Sequence, residues 1–582
     1  MGAMLRTFFN SNRFLVRRRG MFARLSLAAV TVLLVGGANT LAAQPAVPLH
    51  TSGRFIVDSN GARVHLAGLN WYGFDSSDYV VSGLQAASLQ SIVQQIKGMG
   101  FNAVRLPWSN QMYESNPVVP SYALTANTSM QGENALTAMD QVIAALTKAG
   151  IMVILDNHMS NAGWCCSTTD GNSLWYNAQY PQANWLADWQ GMAQRYASNP
   201  MVIGVDLRNE PRSPATWGGS AANDWHAAAV LGGNAVLGVN PHLLVFVEGI
   251  NYATDLSGIA SLPVQLNVPN QLVYEAHNYG FDYSGLSGYS DYLSRITSKW
   301  GYLATGNNPQ PLWVGEFGTC NGSSTCVNSG SNADLGFWFN MITAYFQQND
   351  IDWTYWAANG TTETGHSGGF GSVEGYGVFN TAWNGSANAA LTARLQSMMP
   401  GAAPVFTLVD GGNAMTVPAG GSVTAQVAIV PGNGFSGTVN LVCSVSGGPG
   451  GAKNPPTCSV PATASVTGNA PTNVSVTIAT MGTTAASGMK RGGERKSIPG
   501  EGGDAMLACA MLLAGGFARR RRNVARMLVV MAAFVCVAVA SACGGGGAVS
   551  SPGTTAGGYM VTVTGSAAGA GSATTQIAVT VQ

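Results

Sequence analysis

The chain has 582 residues, more than one compact domain needs, so two or more folded units are expected. Its 27 basic and 27 acidic residues cancel overall, yet between Arg54 and Arg394 there are 11 Lys+Arg against 23 Asp+Glu. That acidic region is sparsely charged and rich in Trp and Tyr, which argues against nucleic acid and suits a neutral ligand with apolar faces, such as a sugar ring.

At the N-terminus, Arg13, Arg17, Arg18, Arg19 and Arg24 precede an apolar run over residues 25–35, and small residues follow at Ala42 and Ala43. This pattern predicts a secretory signal peptide over residues 1–43; the run is short for a retained membrane helix. Export would place the nine cysteines in an oxidising compartment. Cys320 and Cys326 are spaced to clip one loop, and Cys443 and Cys458 bracket a Gly/Pro-rich turn. The adjacent Cys165 and Cys166 pair with each other or with distant partners. No CxxC pair or His cluster suggests a metal, and no cofactor is expected.

Gly53-Arg-Phe-Ile-Val-Asp58 and Ala62-Arg-Val-His-Leu66 read as a hairpin turning at Asn60-Gly61. Beyond it, apolar strand patterns end at Asn70, Arg105, Asp156, Arg208, Val247, Ala276, Gly315 and Trp356, separated by amphipathic stretches such as residues 88–99 and 135–149. Eight strands alternating with helices predict a (β/α)8 barrel. A doubly wound sheet would want a Gly-rich phosphate turn after its first strand, which Gly68-Leu-Asn-Trp-Tyr-Gly73 does not supply.

Polar residues collect at the predicted strand tips: Arg105, Asn157 and His158, Asn209 and Glu210, His277 and Tyr279, Glu316, and the aromatic Trp356. In a barrel these tips converge on one face. Singly, a barrel Arg is as often a structural ion-pair partner and a His as often a core residue; the set at one end carries the functional reading. Glu210 in Gly204-Val-Asp-Leu-Arg-Asn-Glu-Pro211 and Glu316 in Pro311-Leu-Trp-Val-Gly-Glu-Phe-Gly318 place two carboxylates on two strand tips, the layout for cleaving a glycosidic bond.

His65-Leu-Ala-Gly-Leu-Asn-Trp-Tyr-Gly-Phe74, Asn102-Ala-Val-Arg-Leu-Pro107, Asp206-Leu-Arg-Asn-Glu-Pro211, Glu275-Ala-His-Asn-Tyr279 and Val314-Gly-Glu-Phe-Gly318 together resemble glycoside hydrolase family 5, near the bacterial endoglucanases, over roughly residues 50–400. The resemblance implies Glu210 as general acid/base and Glu316 as nucleophile of a retaining mechanism, their carboxyls about 5 to 5.5 Å apart. It implies that Asn209 bonds the sugar 2-hydroxyl, that Arg105 and Tyr279 hold Glu316 ionised, that His158 and His277 line the site with His277 near Glu210, and that Trp356 floors the cleavage point, with a cis peptide to Ala357. Trp71, Trp164, Trp175, Trp217 and Trp383 are further cleft or packing aromatics, with Trp71 and Trp164 favoured for the cleft because they follow strand tips. Asn157-His-Met-Ser-Asn-Ala-Gly-Trp-Cys-Cys166 departs from the usual bacterial endoglucanase loop, which leaves the chemistry intact and the choice of glucan open.

After Pro400 Trp vanishes and Gly, Ser, Thr and Val dominate. Residues 422–428, 437–443 and 473–478 alternate with period two and predict a β-sandwich of about 80 residues. Phe435-Ser-Gly-Thr-Val439 resembles bacterial immunoglobulin-like repeats, expected here as a spacer. Residues 505–517 and 527–542 are apolar around Arg519-Arg-Arg-Arg522, read as surface or membrane attachment rather than a structural insert, and residues 559–581 alternate again as strands that complete the sandwich. The expected organisation is signal 1–43, barrel 44–402, immunoglobulin-like sandwich 403–482, hydrophobic linker 483–547 and terminal strands 548–582.

The expected protein is a secreted, monomeric endo-acting β-1,4-glucanase whose partner is a β-glucan. A β-mannanase or other β-glycanase on the same scaffold is the first alternative. A non-catalytic polysaccharide-binding protein and an adhesin built on the C-terminal third are the others.

Overall fold

The computed structural model describes residues 44–219, 222–412, 414–483 and 551–582. The expected signal segment and the apolar runs at 505–543 lie outside the described residues. The described residues form one compact unit.

Eight parallel strands close into a barrel: β1 (Ala67–Asn70), β2 (Ala103–Ser109), β3 (Met152–Met159), β4 (Val202–Asp206), β5 (Leu244–Glu248), β6 (Leu272–Tyr279), β7 (Leu312–Gly318) and β8 (Asp352–Tyr355), with β8 pairing back onto β1. Every residue of β2, β3, β4, β5 and β7 is buried, because helices cover one face and the barrel interior the other. The first covering helix, Leu89–Gly98, follows the expected pattern: Ser88 caps it by accepting from the Ser91 amide, and Leu89, Ile92, Val93 and Ile96 form its buried stripe. The second, Ala135–Lys148, ends within a residue of its predicted limit.

Two local readings are corrected. The chain does turn at Asn60-Gly61, but a second hairpin precedes it, pairing His50–Ser52 with Phe55–Val57 and turning at Gly53 (φ 57°). Asp58 Oδ1 accepts from the amides of Asn60 and Ala62 at the Asn60-Gly61 corner, and the pairing across it is short: the Val57–Arg63 bridge with the Asp58 amide donating to the Ala62 carbonyl and the Val64 amide to the Ile56 carbonyl. Leu49 and Ile56 of this segment pack with Ala103, Met152, Ile203, Leu244 and Trp313 at the N-terminal ends of the strands, plugging the end of the barrel opposite the site. Several strands also run past their expected ends, so Asn157, His158, His277 and Tyr279 lie within strands rather than after them and Arg105 is inside its strand rather than at its end, while β4 and β8 stop at Asp206 and Tyr355, short of the expected Arg208 and Trp356.

The C-terminal region folds into two antiparallel-rich sheets. Strands β9 (Val405–Asp410), β10 (Met415–Val417), β11 (Ser422–Gly432), β12 (Gly437–Gly447), β13 (Thr457–Ser459), β14 (Thr463–Val466), β15 (Thr472–Ala479), β16 (Gly557–Ala567) and β17 (Gly571–Val581) arrange as β9-β11-β15-β13 and β10-β17-β16-β12-β14. A separate core that includes Leu408, Val427, Val439, Val476, Val561 and Val579 lies between them. Helix Leu335–Asn349 is wedged between barrel and sheets. Residues 336–347 are all buried, Asn340 donates to the Leu408 carbonyl, and Gln347 accepts from the Asn433 amide. Disulfides join Cys320–Cys326 and Cys443–Cys458, and the adjacent pair Cys165–Cys166 is also joined. No helix among the described residues is long and apolar enough to cross a membrane.

Asp188, on helix Gln182–Arg195, tests the fold energetics. It is buried, accepts from Asn110 Nδ2 at 2.7 Å, and burial pushes its carboxyl up to about 7, with Glu114 adding to the shift. A raised carboxyl pKa means the fold prefers the neutral acid and loses stability as pH climbs through 7. Asp188→Asn mimics the neutral acid. It is expected to match the parent within about 1 kcal/mol at pH 5 and to exceed it by about 1–3 kcal/mol at pH 9, read by urea denaturation at both pH values. Equal stabilities at pH 9 would refute the buried-acid assignment.

Candidate active site

At the C-terminal ends of the strands lies a cavity of about 310 Å³ lined by His158, Trp164, Cys165, Cys166, Asn209, Glu210, Tyr279, Phe281, Glu316, Trp356, His366, Glu374 and Tyr376. Glu210 follows β4 and sits at φ 50°, in the left-handed region that side-chain-bearing residues seldom adopt. Its amide donates to Glu248 Oε2 at 2.6 Å, and its Oε1 lies 3.0 Å from His277 Nδ1. Glu316 is the fifth residue of β7, in register with His277 of β6. One oxygen from each of Glu210 and Glu316, together with a ring nitrogen of His277, lie within 4.8 Å of one another.

The two carboxyls have different surroundings. Glu316 Oε1 accepts from Arg105 Nη1 and its Oε2 from the Tyr279 hydroxyl, both at 2.8 Å, so a donor engages each of its oxygens. Burial raises the pKa of Glu210, opposed by His158, Arg212 and Arg105. Burial also lowers His277 to about 4, so its ring is neutral at working pH. Its Nε2 sits 3.4 Å from both Glu248 and Glu275, whose carboxyls burial drives well above the ordinary range.

Arg105 anchors this floor. Its fully buried guanidinium lies within 3.7 Å of Asp156, Asp206, Glu248, Glu275 and Glu316. One positive charge cannot balance five negative ones, and burial pushes Asp156 up to about 6 and Asp206 in the same direction. Asp156 Oδ1, Asp206 Oδ1 and Glu275 Oε2 are buried without a hydrogen-bond acceptor or donor among the described residues, as expected where protons are shared. Arg105 also donates to Asn209 Oδ1 at 3.0 Å and to Asn70 Oδ1 at 3.1 Å. His158 Nδ1 lies 2.7 Å from Asp156, and its ring runs parallel to that of Trp356, as does Tyr72. The Trp356-Ala357 peptide is cis.

A family model described as Cellulase (glycosyl hydrolase family 5) matches residues 57–362. The chain belongs to glycosyl hydrolase family 5. This family 5 hydrolase is 37% identical over 338 residues to an endoglucanase of Paenibacillus polymyxa, across 55% of this chain and 81% of that protein. It is 34% identical over 358 residues to the major extracellular endoglucanase of Xanthomonas campestris pv. campestris, across 58% of this chain and 70% of that protein. Among solved structures, the catalytic domain of the Xanthomonas enzyme superposes with a TM-score of 0.52 at 30% identity, covering 60% of this chain and 99% of that one. An endocellulase of Pyrococcus horikoshii in complex with cellotetraose gives 0.52 at 27% identity, covering 61% and 100%.

The family 5 barrel thus brings Arg105, His158, Asn209, Glu210, His277, Tyr279, Glu316 and Trp356 to one cavity or its floor. It does not bring Trp71 there. That ring is fully buried, its Nε1 donates to the Ser82 carbonyl, and it packs 6.4 Å from Trp383, so Trp71 is a core residue and cannot meet a ligand. Trp175 and Trp383 are likewise buried, and Trp217 bonds the Leu262 carbonyl outside the cavity. Of the five extra tryptophans, Trp164 alone lines the cavity. The sequence reading missed Asp156, Asp206, Glu248 and Glu275 as proton-sharing partners, although Val247-Glu248 is an apolar strand ending in a carboxylate like Gly315-Glu316. It also missed His366, Glu374 and Tyr376, which reach the cavity from the irregular segment after β8 and carry no local pattern.

Proposed function

We propose that this glycoside hydrolase cleaves β-1,4-glucan internally with net retention, Glu210 serving as acid/base and Glu316 as nucleophile. The observation that carries the reading is the asymmetric pair: two carboxyls within 4.8 Å of a common imidazole, one held by two donors as an anion and one pushed up by burial. The spacing suits direct attack and leaves no room for an intervening water, as inversion would require. Glu316 attacks the anomeric carbon as Glu210 passes its proton to the departing glycosidic oxygen. With the Glu316 charge consumed in the ester, Glu210 becomes more acidic. It then deprotonates the water that releases the sugar. Arg105 and Tyr279 orient Glu316. Asn209, beside Arg105, donates to the 2-hydroxyl, and Trp356 and His158 line the sugar site.

The names of the relatives, endoglucanases and one of them extracellular, support both the glucan and export through residues 1–43. The barrel is assigned to residues 44–402 and the remainder to an immunoglobulin-like sandwich at 403–482. Residues 548–582 complete that sandwich, and 483–547 form a surface-attachment segment between the two. The sandwich serves as a spacer on a monomeric enzyme.

The test is product release from carboxymethyl-cellulose, mixed-linkage glucan, mannan and xylan, with the first-formed anomer followed by NMR. Cleavage of the two glucans with the β-anomer appearing first is expected. Preference for mannan would overturn the substrate, and an α-anomer appearing first would overturn the mechanism.

A further inference from the structure

We propose that the Cys165–Cys166 disulfide is a positioning element of the sugar cleft: it holds the Asn209 amide toward the substrate, so hydrolysis depends on the oxidised pair. This rests on the reading of Asn209 and Glu316 given above.

Both cysteines line the cavity and are half-buried, so the sulfurs form part of its wall and remain reachable. Asn209 Nδ2 lies 3.4 Å from Cys165 Sγ and 3.5 Å from Cys166 Sγ. Its Oδ1 accepts from Arg105 Nη2, which identifies the oxygen end of the amide, because a guanidinium cannot accept. The –NH2 must therefore face the sulfurs and the cavity. Sulfur is a weak acceptor. The pair guides those protons without competing for them, and a sugar hydroxyl can take one over.

The loop is pinned on both sides of the cysteines. The Gly163 amide donates to the Asp75 carbonyl at 3.1 Å. Arg212 donates to the Ser167 carbonyl and forms two bonds to Asp170 at 2.6 and 2.7 Å, while Arg208 Nη2 donates to the Asn172 carbonyl at 3.1 Å. Arg208 and Arg212 flank Asn209-Glu210 in the chain, so loop and carboxylate move as one body, and only residues 164–166 lie between the pins.

Reduction by a dithiol proceeds by attack of its thiolate on one sulfur, breaking the S–S bond. The reagent's second thiol then displaces that cysteine. Two electrons and two protons pass to the protein, and the reagent leaves as a cyclic disulfide. Two separate thiols cannot occupy the volume of a bonded pair, and each S–H is itself a donor facing the Asn209 –NH2. The amide loses its guide.

The experiment treats the full chain with dithiothreitol and verifies reduction at residues 165 and 166 by alkylation and mass spectrometry. kcat/KM on an aryl β-cellobioside is expected to fall roughly tenfold, the value of one well-placed hydrogen bond. Reoxidation should restore it. The ratio of rates for the substrate and its 2-deoxy analogue should shrink by the same factor, which a general loosening of the fold would not produce. Cys320→Ser/Cys326→Ser and Cys443→Ser/Cys458→Ser variants should keep the response, and Cys165→Ser/Cys166→Ser should lose it. Complete alkylation at 165 and 166 with unchanged kcat/KM and unchanged 2-hydroxyl preference would overturn the proposal. Failure of the underlying reading is distinguishable, because it appears as a Glu316→Gln variant that still hydrolyses.

Discussion

Glu316→Gln is expected to lower kcat by roughly 10⁴-fold or more while leaving the affinity for cello-oligosaccharide within about tenfold of the parent. The amide preserves the shape of the side chain and still offers Oε1 to Arg105 Nη1, so the fold and the cavity should survive. What disappears is the anionic oxygen that must bond the anomeric carbon. Glu210→Gln should behave differently, with a loss of about 10²–10⁴ on polymer that shrinks when the leaving group is an activated phenol needing no proton. Steady-state kinetics on polymer and aryl cellobioside, with binding by calorimetry, separate the cases. The pH dependence also has a definite sign. Burial raises the Glu210 pKa, so kcat/KM should decline as pH rises through that pKa, and Glu210→Gln should abolish this limb. Hydrolysis by Glu316→Gln at more than a hundredth of the parental rate would remove Glu316 from the nucleophile role.

The barrel was legible because a parallel strand buried on both faces must be a short apolar run, and its end must be polar where the chain meets the cavity. Leu312-Trp-Val-Gly-Glu316 states both facts in five residues. What adjacent residues decide locally was readable, including the amphipathic stretch that begins at residue 88 and the Cys320–Cys326 clip. What depends on the packing of distant elements was not. Trp71 and Trp164 each follow a strand tip, yet one ring turns inward against Trp383 and the other outward over His366. The choice rests on residues far away in the chain. The Asn60-Gly61 turn was readable, but not how short its strands are: Asp58 supplies a side-chain acceptor that competes with strand pairing there. The proton inventory of the floor was invisible for a physical reason. Each of Asp156, Asp206, Glu248 and Glu275 reads as an ordinary acid until the barrel crowds all four around one guanidinium.

That crowding makes Arg105→Met the second change with a large expected effect, acting on stability and chemistry together. The methionine fills part of the volume and removes the charge that Asp156, Asp206 and Glu316 face. Breaking a buried ion network by deleting one partner costs about 3–5 kcal/mol, because the remaining charges are left uncompensated in a poorly polarisable interior. The carboxyls can escape part of this penalty by taking up protons. The deficit relative to the parent should therefore be largest above pH 7 and shrink as pH falls toward 5, the direction set by carboxyl pKa values already raised by burial and raised further without the guanidinium. Activity should fall at every pH, because Glu316 Oε1 and Asn209 Oδ1 lose the same donor. Arg105→Lys keeps a charge but not the planar fork that reaches Asp206, Asn209 and Glu316 at once, so it should recover part of the stability and little of the rate. Guanidinium chloride denaturation at pH 5 and pH 8, beside kcat on mixed-linkage glucan, reads both effects. A methionine variant as stable as the parent at pH 8 would mean that the five carboxyls are already neutral there. The anionic state of Glu316, on which the proposed double displacement depends, would then have to be abandoned.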